Sequence, residues 1–444
     1  MSVSVYLLCF SCTGFLEQKP SSTINLPTTD EDLWALMNNS SVINRNEPGL
    51  GEIGGDNYFL LDVGWNAITQ EAERTVYLWQ KTPVLPAHWN PAYTTIAYAN
   101  TVLDYVDQVA YTIPQSKNML IGTARFHRAR NYYRITQVFS HFYRKEKNPD
   151  DLGFAYRKDG DASNPSYRMS LAESYAYLIK EFKEASRLLP AKVTFPTEPS
   201  KSAAFSMLAN LHLELEDFET AYVYADSAIY YNSGIILDFQ DIDRTLASPF
   251  QRFNEEVVFH TLLNGGTTLS PSRAKVADDL ITLYEERDLR KEAFFRLGND
   301  GYYVFKGNYD GSATSASLFS GITVPELYLQ RAEAALLSGR TSQAVDDLNE
   351  LRQKRGLPIL AGEHIYAEEM ELLEEVINER RRELAFRGRR WQDLRRYAAR
   401  GLFEDEISRT INGVVYRLGS KDILDYAFFI PELVIENSNI VQNE

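Results

Sequence analysis

Cysteine is nearly missing from this sequence: among 444 residues only Cys9 and Cys12 occur, both in the first dozen. A secreted fold held by disulfides carries cysteines through its body, and a thiolate zinc site needs them clustered. Neither is possible after residue 12. Positive charge is also short, with 46 Lys and Arg against 61 Asp and Glu and a net charge of −15. That balance argues against a nucleic-acid partner, because phosphate binding needs a basic face. Long apolar runs are missing as well: beyond the amino terminus no stretch approaches the roughly 18 residues that mark a membrane helix. The six histidines show no H-E-x-x-H or other paired metal spacing. No G-x-S-x-G elbow or Walker loop is present either, so no metal or nucleophile is marked by motif.

What the chain does have is aromatic side chains, 27 Tyr, 23 Phe and 5 Trp. Tyrosine joins an apolar face to a hydroxyl that needs a partner, which suits both the wet edge of helix packing and a binding surface. At the amino terminus, Val3 to Phe10 is an eight-residue apolar run. It is too short to span a bilayer but long enough for the core of a signal peptide. It stops just before Ser11-Cys12, where a bacterial lipoprotein would be cleaved and acylated.

Helical periodicity dominates the rest. Asp30-Glu31-Asp32 complements the dipole at a helix start, and Leu33, Leu36 and Met37 then fall on one face. Apolar residues at i, i+3 and i+4 predict helices over 88–109, 122–143, 174–189 and 201–231. The best internal signal is a repeat: Ala209 and Ala221 lie twelve apart, followed by Ala225 and Ala228. Ala332 and Ala344 reproduce the spacing, followed by Leu348 and Leu351, with Gly339 at the turn. Small residues so placed let two antiparallel helices approach closely, as in tetratricopeptide (TPR) units. Two stretches break the pattern. Residues 49–81 hold Asp56, Asn57, Tyr58, Trp65, Arg74 and Trp79 with little helical period, and residues 235–322 mix β-like pieces with glycine turns. Irregular segments of this length are often functional.

These residues together resemble the SusD/RagB family of outer-membrane lipoproteins. Cys12-x-x-Phe15-Leu16-x-x-x-Pro20 is similar to the family's mature start, and Gly122-x-Ala124-Arg125-Phe126-x-Arg128-Ala129-x-x-Tyr132-Tyr133 to its first long helix pair. The most specific match is Glu379-Arg380-Arg381-Arg382-Glu383-Leu384-x-Phe386-x-Gly388-x-Arg390-Trp391-x-Asp393-Leu394-Arg395-Arg396. The closing motif from Ile430-Pro431 to Asn443 follows, with Ser438 where proline is usual. In the arginine block, the i, i+3 and i, i+4 spacings predict structural ion pairs (Glu379–Arg382, Glu383–Arg387) rather than an anion site.

The resemblance implies a mostly α fold, a TPR-like helical-repeat scaffold of about four helix pairs with a large loop-rich binding region containing short β pieces. Residues 1–12 are then a signal peptide ending at a lipidated Cys12. Residues 13–444 form one domain, with helix pairs near 89–143, 173–231 and 325–396 and the binding region at 49–81 and 235–322. It further implies a protein without catalytic activity, cofactor or metal, anchored by lipid on the cell surface at the outer membrane. Such a protein captures a glycan and delivers it to a SusC-like TonB-dependent transporter barrel. Sugar capture needs aromatic planes and a few polar groups. Asp56, Asn57, Tyr58, Trp65, Arg74 and Trp79 supply that mixture, and Tyr302, Tyr303 and Tyr309 form a second set. The alternatives are a RagB-type peptide-binding protein, a TPR adaptor lipoprotein that binds proteins only, and a glycoside hydrolase, which would need two suitably spaced carboxylates.

Overall fold

Helix boundaries follow the capping chemistry of the sequence. In the computed structural model, which describes residues 27–444 except 114–115, 162, 233, 313, 362–368 and 404, nine long helices form the frame. They are α1 (Asn90–Tyr105), α2 (Ser116–Phe139), α3 (Leu171–Leu188), α4 (Lys201–Glu214), α5 (Phe218–Tyr231), α6 (Val324–Leu337), α7 (Thr341–Lys354), α8 (Glu369–Glu383) and α9 (Arg390–Ala399). Ser170 caps α3 in a capping box with Glu173, Ser200 caps α4, and the Asp217 carboxylate accepts from Thr220 N–H at the start of α5. Each cap satisfies amide groups that the first turn leaves without partners. The leader and the expected lipidation site, Cys12, lie outside the described residues.

From α1 to α7 each helix packs on the next, so the scaffold is a stack built by neighbours. The repeat read from alanine spacing is the contact between them. Ala209, Ala221, Ala225, Ala228, Ala332 and Ala344 are all fully buried, and the Ser202 hydroxyl donates to the Ala228 carbonyl at 2.8 Å. Gly339 turns α6 into α7 with φ of +78°, a conformation that favours glycine.

The two irregular stretches are joined by strand pairing in two separate small sheets. Glu47–Pro48 pairs in parallel with Leu262–Asn264, which pairs on its other edge with Ser317–Phe319. Tyr58–Leu60 runs antiparallel to Ala274–Val276. The first stretch is less irregular than its sequence suggests. It contains the short helices Leu50–Gly54, Asp62–Asn66 and Glu71–Tyr77, each too brief to build up a readable period.

The segment Gly49-Leu50-Gly51-Glu52-Ile53-Gly54 has the G-x-G-x-x-G spacing of dinucleotide-binding turns. Its glycines are explained by packing. A Cβ on Gly49 would sit 1.8 Å from the Asn264 carbonyl oxygen, and one on Gly51 or Gly54 would stand 3.0 or 2.9 Å from the Trp391 side chain. The short helix therefore lies flush on Trp391, which ties the amino-terminal stretch to α9.

A hairpin over Glu406–Ile411 and Val414–Gly419 falls in a segment given no structure from sequence. Asn412 and Gly413 both have positive φ at its turn, and Asn-Gly is the preferred pair for such a two-residue loop.

Candidate functional site

The arginine-rich block around α8 and α9 sets the geometry of a large cleft. Its side chains are buried, and burying a charge is costly unless it is paired. Arg290 lies between Asp288, Glu379 and Glu383, with its contact to Glu379 at 2.6 Å. Arg355 meets Glu256 and Glu383 at 2.7 and 2.8 Å, and Arg389 meets Glu326 at 2.7 Å. Of the pairs read from helical spacing, Glu379–Arg382 forms at 2.5 Å. Arg387 instead lies over the Tyr309 ring at 3.9 Å, because Glu383 is taken by Arg355 and Arg290. The block is structural, but its partners come from distant elements as well as from the next turn.

On the outer side of α8 a cleft of about 1060 Å³ opens. Its walls come from five stretches: Asp56, Tyr58 and Phe59; Ala277 to Asp279; α8 residues between Met370 and Arg381; Arg390 and Tyr397 of α9; and, at the root of the hairpin, Leu402 and Phe403 with Asp405 to Arg409. This volume is at the upper end of ordinary ligand cavities. Asp56 is held in the wall by two bonds from Arg390, at 2.6 and 2.7 Å, and by Arg381 at 3.3 Å. Burial pushes its carboxyl up, but the two guanidiniums outweigh burial and hold it well below the usual carboxylate range. Arg381 also meets Asp279 at 2.8 Å. Arg409 spends its guanidinium on the backbone carbonyls of Ile53, Gly55 and Tyr77 while stacking on the Tyr77 and Trp79 rings.

At the cleft's edge Phe59, half-buried, meets Tyr302 edge to face with centroids 5.5 Å apart. Lys275, on the strand paired with that of Phe59, is bound to Asp300 at 2.7 Å. The structure thus sets Tyr302, of the second expected set, against Phe59, which sequence reasoning missed.

The remaining expected residues divide by burial. Trp65 and Arg74 are half-buried and pair, the guanidinium 5.3 Å from the indole ring, outside the cleft lining. Tyr303 is half-buried with the Lys291 ammonium 6.0 Å from its ring. Four expected contacts need correcting, because burial has given their polar groups to the fold. Asn57 is 1% exposed and accepts from Arg381. Tyr58 is 3% exposed and donates its hydroxyl to the Ile53 carbonyl at 2.9 Å, so it forms the floor of the cleft rather than a free contact. Trp79 donates its indole N–H to the Gly54 carbonyl, also at 2.9 Å. Tyr309 donates to Glu256 at 2.6 Å beneath Arg387.

Beyond Phe59, the lining residues that sequence reasoning missed include Asp278, Glu371, Glu374, Asp405 and Arg409. The hairpin's Asn-Gly turn was the signal that could have pointed to Arg409. Among the described residues no group of His, Cys, Asp and Glu could hold a metal ion, and no helix is long and apolar enough to cross a membrane.

Residues 14–213 match the family described as "Starch-binding associating with outer membrane", and residues 298–426 match the SusD family. Comparison with curated proteins gave no match. Among solved structures, a SusD superfamily protein from Bacteroides vulgatus is similar with a TM-score of 0.75 at 18% identity, covering 94% of this chain and 99% of that one. Another from Bacteroides thetaiotaomicron has a TM-score of 0.74 at 17% identity, covering 94% and 100%. The surface glycan-binding protein A from Bacteroides uniformis has a TM-score of 0.71 at 18% identity, covering 94% and 99%. The fold agrees with these structures, the arginine block lies within the second matched segment, and the chain belongs to the SusD/RagB family.

Proposed function

We propose that the protein is a cell-surface lipoprotein of the outer membrane, anchored at Cys12, that captures a glycan in the cleft beside α8. It then passes the glycan to a SusC-like TonB-dependent transporter without altering it. The observation that carries this reading is the cleft itself: about 1060 Å³, edged by the Phe59–Tyr302 pair. Its wall carboxylates Asp56 and Asp279 are fixed by arginines. An aromatic edge offers a surface to the apolar face of a sugar ring, and polar groups around it can hold hydroxyls. The match to a family described as starch-binding and associated with the outer membrane supports the same reading, as does the likeness to a surface glycan-binding protein.

A glycan array probed with the full-length protein tests it. Binding to at least one oligosaccharide class is expected, weakened tenfold or more by Phe59→Ala with Tyr302→Ala. Release of new reducing ends during incubation would turn the reading towards a hydrolase. Binding to peptides alone would turn it towards peptide uptake. Co-purification with a barrel without any ligand binding would favour an adaptor.

A further inference from the structure

The cleft is a site by its volume and aromatic edge; its charges decide what it will accept. Every cation on its wall is already engaged. Arg390 is spent on Asp56, Arg381 on Asp56 and Asp279, and Arg409 on three backbone carbonyls. The acids are not all spent. Asp278, Glu371, Glu374 and Asp405 line the cleft, are exposed, and make no ion pair or side-chain hydrogen bond with another described residue. They come from three separate stretches of chain, so the negative field spans the opening rather than one helix turn. Low-dielectric walls concentrate such a field at the mouth of a cleft.

A carboxylate- or sulfate-bearing sugar entering here would meet like charge with no free guanidinium to receive it. A sugar carrying an ammonium group would meet acceptors in place. We infer that the cleft sorts glycans by charge: it takes amine-bearing oligosaccharides ahead of neutral ones and rejects uronic-acid or sulfated chains. This inference rests on the glycan reading of the same cleft.

Calorimetric titration of the full-length protein with three oligosaccharides of equal length tests it: glucosamine, N-acetylglucosamine and galacturonic acid oligomers. A lysine-rich peptide of the same charge serves as the fourth arm. The glucosamine oligomer should bind at least tenfold tighter than its acetylated form at low ionic strength, and the galacturonate not at all. The gap should narrow as salt is added, because the acids are solvent-exposed and screened. Glu371→Gln combined with Glu374→Gln should reduce the gap several-fold, weakening the glucosamine oligomer more than its acetylated form. Both sites are exposed, so folding is not at risk; Asp278→Asn provides an independent second variant.

Equal affinity for the amine and its acetylated form, tighter binding of the uronate, or a gap that persists in the variants would overturn charge sorting and leave the glycan reading standing. Binding of the lysine-rich peptide with none of the three sugars would overturn both. Failure of all four ligands to bind would overturn the cleft as the site of capture, and charge sorting with it.

Discussion

Glu52 is buried, with a carboxylate oxygen accepting from Gly388 N–H at 2.8 Å. Burial raises its carboxyl to about 7, and hydrogen bonds from Gly388 and Asn57 offset only part of that rise. In the unfolded chain the group ionises near its ordinary value, so between that value and about 7 the folded state holds the extra proton. Stability therefore falls as pH rises through this window. Glu52→Gln removes the titration. It should raise the melting temperature at pH 8 by the equivalent of about 1 to 3 kcal/mol and change it little at pH 5. A pH-independent effect in thermal melts would show that Glu52 does not titrate there. Arg290 is the opposite case, a buried cation with three acids around it. Arg290→Ala strands those charges and should cost about 3 to 5 kcal/mol in denaturant unfolding.

At the scale of elements, the short helix Leu50–Gly54 is decisive, because its carbonyls and flanks hold Arg409, Trp79, Tyr58 and Asp56. Gly54→Ala puts a methyl 2.9 Å from Trp391 and 3.2 Å from Phe428, both buried. Overpacking of this kind costs about 1 to 3 kcal/mol. It should also weaken ligand binding by displacing Asp56, whereas a stability loss with affinity intact would separate the helix from the cleft. The long helices were legible in the sequence because alanine spacing and caps are local signals. Trp79 and Tyr309 looked like binding aromatics for the same reason that they make good core: a large ring with a polar tip that needs a partner. Sequence shows the tip but not whether a carbonyl waits for it. Nothing in their local sequence sets Glu371 and Glu374 apart from other helix residues, and only the fold brings Asp278 and Asp405 into the same cleft.

Over the described residues, the main apolar cluster takes side chains from Leu50 to Ile440 beside two smaller ones, and strands from residues 47–60 pair with strands from 262–276. Scanning calorimetry should therefore give one transition whose calorimetric and van't Hoff enthalpies agree; two resolved peaks would divide the chain.

The hairpin Glu406–Gly419 forms part of the cleft wall and is tied to the body at both strands and at its turn: Ile407, Arg409, Ile411 and Leu418 are buried, and Asn412 N–H donates to the Asp62 carboxylate at 2.8 Å. Between these anchors Glu406 and Ser408 are exposed and line the cleft. Changing only such outward positions would reshape the rim of the cleft without disturbing the helical stack, and an engineer wishing to retarget the protein should begin there.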